Sequence, residues 1–253
     1  MRKDYVGAVL IISSVIIFCL LAANMEVKQG SDIKEEPSNE QNMVSGQKAA
    51  LVDALCVSVP DISFTSELIE KLKEAGFSVD VYEGENVTVK LLSSLREGYD
   101  LVILRMHSAV HSETLGLYLF TAEPYSENKY VDEQYFKLVK KAYAFNYSEP
   151  VFAVNWMFVK RCMTEKFCDT TVIVMGCDGA CDLKMATEFF NQGAKAYIAW
   201  NGLVIPSHSS KAVLQLIENL YIENFTFQQA VKNTNMLIGP DPDTNSTLTL
   251  ITP

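Results

Sequence analysis

No basic stripe runs through this sequence of 253 residues. Its 21 lysines and arginines are outnumbered by 31 acidic residues, giving a net charge of −10. Binding a phosphate backbone requires clustered cations, so a nucleic-acid partner is excluded and the acidity serves solubility. Histidine is scarcer still, with 3 residues scattered at His107, His111 and His208 and no Cys-x2-Cys pair to join them. A structural zinc site needs four closely grouped nitrogen or sulfur ligands, so no metal is expected. No Gly-rich phosphate loop follows the first predicted strand, which leaves nucleotide binding without support, and no cofactor is expected. What remains is an ordinary globular composition, 49% hydrophobic and 21% charged, long enough for one large domain.

The one long apolar run is residues 5–23, YVGAVLIISSVIIFCLLAA, nineteen residues without a charge. That length crosses the hydrocarbon layer of a bilayer as a helix. Arg2 and Lys3 precede it, and positive flanks stay cytoplasmic, so everything after it is expected outside the cytoplasm. Residues 1–25 read as a signal anchor, giving a single-pass membrane protein. If cleavage occurs at Ala22-Ala23-Asn24, they are a long signal peptide and the product is secreted. Asn-x-Ser/Thr triplets at Asn86, Asn146, Asn224 and Asn245 fit export. Beyond Cys19 the exported part holds Cys56, Cys162, Cys168, Cys177 and Cys181, an odd number, so at least one thiol is unpaired within the chain. Cys162 and Cys168 are near enough in sequence to bridge.

Residues 26–47 are almost wholly polar and form a linker or stalk. From residue 48 to about 240, short apolar runs alternate with amphipathic helices, the pattern of an α/β domain with a mostly parallel central sheet and helices on both faces. Strands are expected at 50–59, 78–82, 100–105, 169–176 and 196–200. Helices are expected over 66–77, 87–100, 130–143, 183–194, 211–224 and 227–237. Residues 115–122 read as an edge strand or hairpin, and 151–163 fit strand or helix equally. The last residues, 241–253, rich in Pro, Asp, Thr and Ser, are expected to be loosely ordered.

Two reactive side chains occupy equivalent places. His107 follows the strand DLVILR and Cys177 follows TVIVMG. In open α/β sheets the crevice beyond the carboxyl ends of the strands collects catalytic groups, because the loops diverge there. If these strands are neighbours, thiol and imidazole face one cleft. A Cys attacks a carbonyl as its thiolate, and a His within reach activates it and later protonates the leaving amine. Gly176 and Gly179 flank the thiol in GCDGA, allowing a tight turn and N–H groups for an oxyanion. His111 is a competing base, and His208 reads as an exposed loop residue. Cys181 could act as a resolving thiol for Cys177. Asp178 and Asp182 read as solvated turn residues or as groups favouring a cationic substrate.

DLVILRMHSA followed by TVIVMGCDGACDLKMATEFFNQGAKAYIAWNG resembles the caspase-like cysteine peptidases, the superfamily of caspases, gingipain-type peptidases, separases and CHAT domains. Its members place a His after one core strand and a Cys after the next. The segment through GAKAYIAW is similar to the gingipain and CHAT branch. The resemblance implies a caspase-like three-layer sandwich with His107 as acid/base and Cys177 as nucleophile. It also implies backbone oxyanion donors at Ser108 and Gly176, with Trp200 and Asp178 as candidate pocket residues. Two departures stand out. Most members carry Gly where this chain has Ser108, whose side chain could crowd the cleft, and Met175 replaces the acidic residue that Arg- or Lys-specific relatives carry two positions before the Cys. The expectation is a membrane-tethered cysteine peptidase acting on a protein or peptide substrate. The alternative is a non-catalytic caspase-like interaction or sensing module at the membrane surface.

Overall fold

The computed structural model describes residues 46–95, 98–111, 116–144, 149–163 and 167–253. The predicted anchor at 5–23, nearly all of the linker and the triplet at Asn146 lie outside them. Among the described residues no helix is long and apolar enough to cross a membrane.

Apolar runs with β-branched residues build the large sheet. Its parallel strands are β1 (Lys48–Asp53), β2 (Ser78–Glu83), β3 (Leu101–Arg105), β8 (Thr170–Val174) and β9 (Ala194–Trp200). The sixth strand, β10 (Leu248–Ile251), runs antiparallel to β9, and the order across the sheet is β10-β9-β8-β3-β1-β2. β3 and β8 are buried at every position, as strands covered on both faces must be. Alternate residues feed two cores. Leu51, Leu101, Ile103, Ile173 and Ile198 face helices α1 (Ile62–Glu74), α6 (Pro206–Ile217) and α7 (Phe227–Ile238). Val52, Val102, Leu104 and Val172 face α2 (Val89–Ser93), α4 (Trp156–Cys162), α5 (Leu183–Asn191) and part of a second sheet. This is the expected α/β architecture of a mostly parallel sheet covered on both sides.

The second sheet is antiparallel, ordered β4-β5-β7-β6 from β4 (Ser108–His111), β5 (Gly116–Pro124), β6 (Val139–Ala142) and β7 (Val151–Asn155). The segment expected around 115–122 as an edge strand or hairpin is β5, which pairs antiparallel with the preceding β4 as a hairpin arm and lies inside the sheet, not at its edge. The helix expected over 130–143 is only α3 (Val131–Tyr135), followed by β6. The ambiguous stretch 151–163 is both things in turn: β7 ends at Asn155, whose side chain accepts from the N–H groups of Met157 and Phe158 and so starts α4.

Other boundaries shift for local reasons. β1 ends at Asp53, short of 59, because a 3-10 turn (Leu55–Val57) follows. α1 begins earlier than expected, where Asp61 accepts from Phe64 N–H. α2 stops at Ser93, where the hydroxyls of Ser93 and Ser94 bond back to Lys90 O and Leu91 O. The tail expected to be loose closes the sheet as β10, and Asn201 and Thr247 exchange backbone and side-chain bonds ahead of it.

Candidate active site

β3 and β8 are hydrogen-bonded neighbours, pairing Leu101 with Thr171 and Leu104 with Val174. His107 follows two residues after β3 and Cys177 three residues after β8, so both lie just beyond the carboxyl ends of this strand pair. Both line a shallow, solvent-open cleft at the carboxyl ends of the strands. Gly176 lies between them for a steric reason. A Cβ there would overlap Ser108 Oγ and the backbone oxygen of Met106, so only glycine lets the segments after β3 and β8 pack this closely. Gly179 has a similar role in the turn behind, where a Cβ would meet Ala199 Cβ at 2.8 Å.

Ser108 does not crowd the cleft. Its hydroxyl is buried and donates to Cys177 O at 2.5 Å, tying the nucleophile's backbone to β4. Its N–H is set by the ladder. Phe120 N–H donates to His107 O, and hydrogen-bonded pairs alternate in antiparallel sheets, so at the Ser108–Leu119 pair the Ser108 N–H points away from β5. The turn after Cys177 is less generous: the N–H groups of Asp178 and Ala180 are committed to Gly202 O and Trp200 O. Asp178 adopts a left-handed backbone conformation, with φ of 57°.

The thiol is half-buried under the loop that follows β9. Val204 N lies 3.5 Å from Sγ, and Sγ lies 3.7 Å from Val204 O. The C-terminal segment holds this loop down. Leu203 O accepts from Thr244 Oγ1 and Ser246 Oγ, each at 2.5 Å, and Ile205 N–H donates to Asp241 Oδ2 at 2.8 Å. Burial pushes the Cys177 thiol above its ordinary value; the Val204 N–H opposes the rise, while Asp178 and Asp241 add to it. Burial also holds the His107 imidazolium below its usual value, and the nearby Arg105 guanidinium lowers it further. At neutral pH the pair therefore rests as thiol and neutral imidazole, not as an ion pair.

His107 Nε2 lies 3.0 Å from Ser58 Oγ, in the turn after β1. The Ser58 hydroxyl also reaches Leu55 O at 3.4 Å. Which of Ser58 and His107 donates along their contact follows the tautomer of the imidazole. Beneath the cleft, Arg105 Nη1 grips both oxygens of Asp53 at 2.8 and 2.7 Å and Nη2 donates to Val59 O, with both side chains almost fully buried.

No protein-family model matches this chain, and no curated protein matches it.

The structure brings His107, Gly176 and Cys177 to one cleft and leaves the other candidates outside it. Trp200 is wholly buried in the core, where its Nε1 donates to Ser209 Oγ; Val204, just past its strand, lines the cleft instead. Asp178 is not part of the lining, and its nearest side-chain partner is the Cys181 thiol at 3.8 Å. Asp182 is no solvated turn residue: it is buried, caps α5 through Lys184 N–H and accepts from Leu117 N–H. His111 sits in β4 beside Lys140 and against the Tyr118 ring. His208 lies in the first turn of α6 over Trp200, not on an exposed loop. Cys56, Cys162, Cys168, Cys177 and Cys181 are all free thiols.

Ser58, Val204 and the Asp53–Arg105 pair went unread in the sequence. The pair did leave a signal, since a charged residue closes each of two apolar runs, LVD and LVILR.

Proposed function

We propose that this chain is a membrane-tethered, extracytoplasmic caspase-like cysteine peptidase with Cys177 as nucleophile and His107 as general acid/base. One observation carries the reading: His107 and Cys177 follow the carboxyl ends of the neighbouring parallel strands β3 and β8 and line one open cleft. The order of the large sheet and the helices on both its faces support the caspase-like resemblance. Export is supported by the apolar run at 5–23 and by the exposure of Asn86, Asn224 and Asn245 as glycan acceptors.

The resting protonation states favour general-base activation. As Cys177 Sγ bonds to the carbonyl carbon of the substrate, its proton passes to the His107 imidazole. The carbonyl electrons collect on the oxygen, for which the Ser108 N–H, turned away from β5, is a candidate donor. His107 returns the proton to the amine as the C–N bond breaks, leaving a thioester on Cys177. Water, deprotonated by His107, then releases the acid and restores the thiol. The Ser58 hydroxyl, 3.0 Å from Nε2, helps orient the imidazole.

A second reading, a non-catalytic interaction or sensing module, draws on the Val204 backbone that covers the thiol. One experiment separates the two. The wild-type chain should hydrolyse peptides and be labelled by a thiol-reactive peptide probe, and Cys177→Ala should abolish both. Hydrolysis and labelling that survive the substitution remove the peptidase assignment. A wild-type chain inert to both supports the non-catalytic module.

A further inference from the structure

We infer that the cleft accepts an uncharged, apolar side chain from the substrate residue that donates the scissile carbonyl, and rejects acidic and basic ones. This rests on the peptidase reading above. Leu55, Met106, Met175, Val204 and Pro206 supply the apolar surface of the cleft. Its one hydroxyl is already satisfied: Ser209 Oγ donates to Met175 O and accepts from Trp200 Nε1.

Among the described residues Arg105 is the one charge in the lining, and that charge is matched by a carboxylate equally buried. Three of its five N–H groups go to the two Asp53 oxygens and Val59 O, and Nε is buried with no hydrogen-bond partner among the described residues. The donors that remain sit on a neutralised cation, which suits a neutral acceptor better than a carboxylate. The same pairing disposes of Asp53 as a site for a basic side chain. Met175, where an acidic residue would have read a cation, is itself 5% exposed and packs into the core. A charged side chain entering this cleft would lose its hydration without gaining a partner, which is far costlier than burying a methylene.

Exposed apolar residues lie next in sequence to two groups at the site: Val57, 64% exposed, precedes the Ser58 that contacts His107, and Leu203, 56% exposed, precedes the Val204 that covers the thiol.

The test is a matched series of fluorogenic peptides, identical except for Ala, Val, Leu, Met, Asp, Lys or Arg before the cleaved bond, hydrolysed by the full-length chain. The same series is made as thiol-reactive probes and scored by labelling of Cys177. The uncharged members should exceed every charged member by at least about tenfold in kcat/KM and in labelling rate. Leu55→Lys should raise the rate after Asp relative to Leu. Cleavage or labelling that is equal or better with Asp, Lys or Arg overturns the inference while leaving the peptidase intact. Failure of all members in both formats removes the peptidase reading and this inference with it.

Discussion

Replacing Gly176 by alanine puts a methyl group where Ser108 Oγ and Met106 O already lie. Rotation of Ser108 relieves one overlap but breaks its bond to Cys177 O. The Met106 oxygen is backbone at the end of a fully buried strand, so it can yield only by moving β3 or β8. Overpacking of this kind costs about 1–3 kcal/mol, and the lost hydrogen bond about 1 kcal/mol more. Gly176→Ala is therefore expected to lower stability by about 2–4 kcal/mol in urea unfolding, with a fall in Tm of roughly 5–15 °C for a domain of this size. Gly46→Ala is the control. It is exposed, and the nearest atom to its added Cβ is Gly76 O at 3.7 Å, so it should stay within about 0.5 kcal/mol of wild type. Hydrolysis by Gly176→Ala should fall further than stability does, since a displacement of about 1 Å between reacting groups can cost roughly a hundredfold. A Gly176→Ala chain as stable as the Gly46→Ala control would refute the close packing of the two segments.

Ser58→Ala removes the oxygen on His107 Nε2 and should lower kcat/KM by about three- to tenfold, the range of one neutral hydrogen bond, with KM little changed. The acid limb of kcat/KM in the wild type should have its midpoint below the ordinary imidazole value of 6.5, because burial and Arg105 both disfavour the charged ring. The linkage sign agrees: the folded state holds His107 neutral, so His107's contribution to stability is full above 6.5 and declines as the pH falls toward its lower folded value. A limb centred above 6.5 would contradict the burial of His107. Asp53→Asn leaves Arg105 buried without its counter-charge and should destabilise the domain by about 3–5 kcal/mol in denaturant unfolding; a loss under about 1 kcal/mol would show that the pair is dispensable. Asp241→Ala frees Ile205 N–H and loosens the loop over the thiol, so iodoacetamide should alkylate Cys177 faster than in wild type at the same pH. An unchanged rate would mean that the C-terminal segment does not hold the loop.

The parts of this fold that were legible in the sequence were those whose neighbours are supplied by period alone. DLVILR and TVIVMG read as buried strands because continuous β-branched and aliphatic runs fit a sheet covered on both faces, and that is where β3 and β8 lie. His107 and Cys177 were legible for the same reason, since each follows its strand directly. In the second sheet β5 and β7 left a signal but β6 did not, because it follows α3 closely and its four residues carry two lysines with no clear alternation. The tail misled through composition. Its Asp, Thr and Ser side chains look like a loose end, yet Asp241 accepts from Ile205, Asp243 and Thr244, side chains substituting for a regular ladder. Ser58 could not have been found, since its contact with His107 spans 49 residues. Trp200 was read as a pocket residue from the family resemblance, but residues alternate across a sheet and its side chain falls in the core under α1, α6 and α7.

The most direct test of the central claim is acid quenching of the full-length chain during turnover of a peptide with an apolar residue before the cleaved bond, followed by mass spectrometry. The account predicts an acyl adduct on Cys177 that hydroxylamine removes, absent in Cys177→Ala and diminished in His107→Ala. Turnover without an adduct on Cys177, or an adduct on any other cysteine, would contradict it.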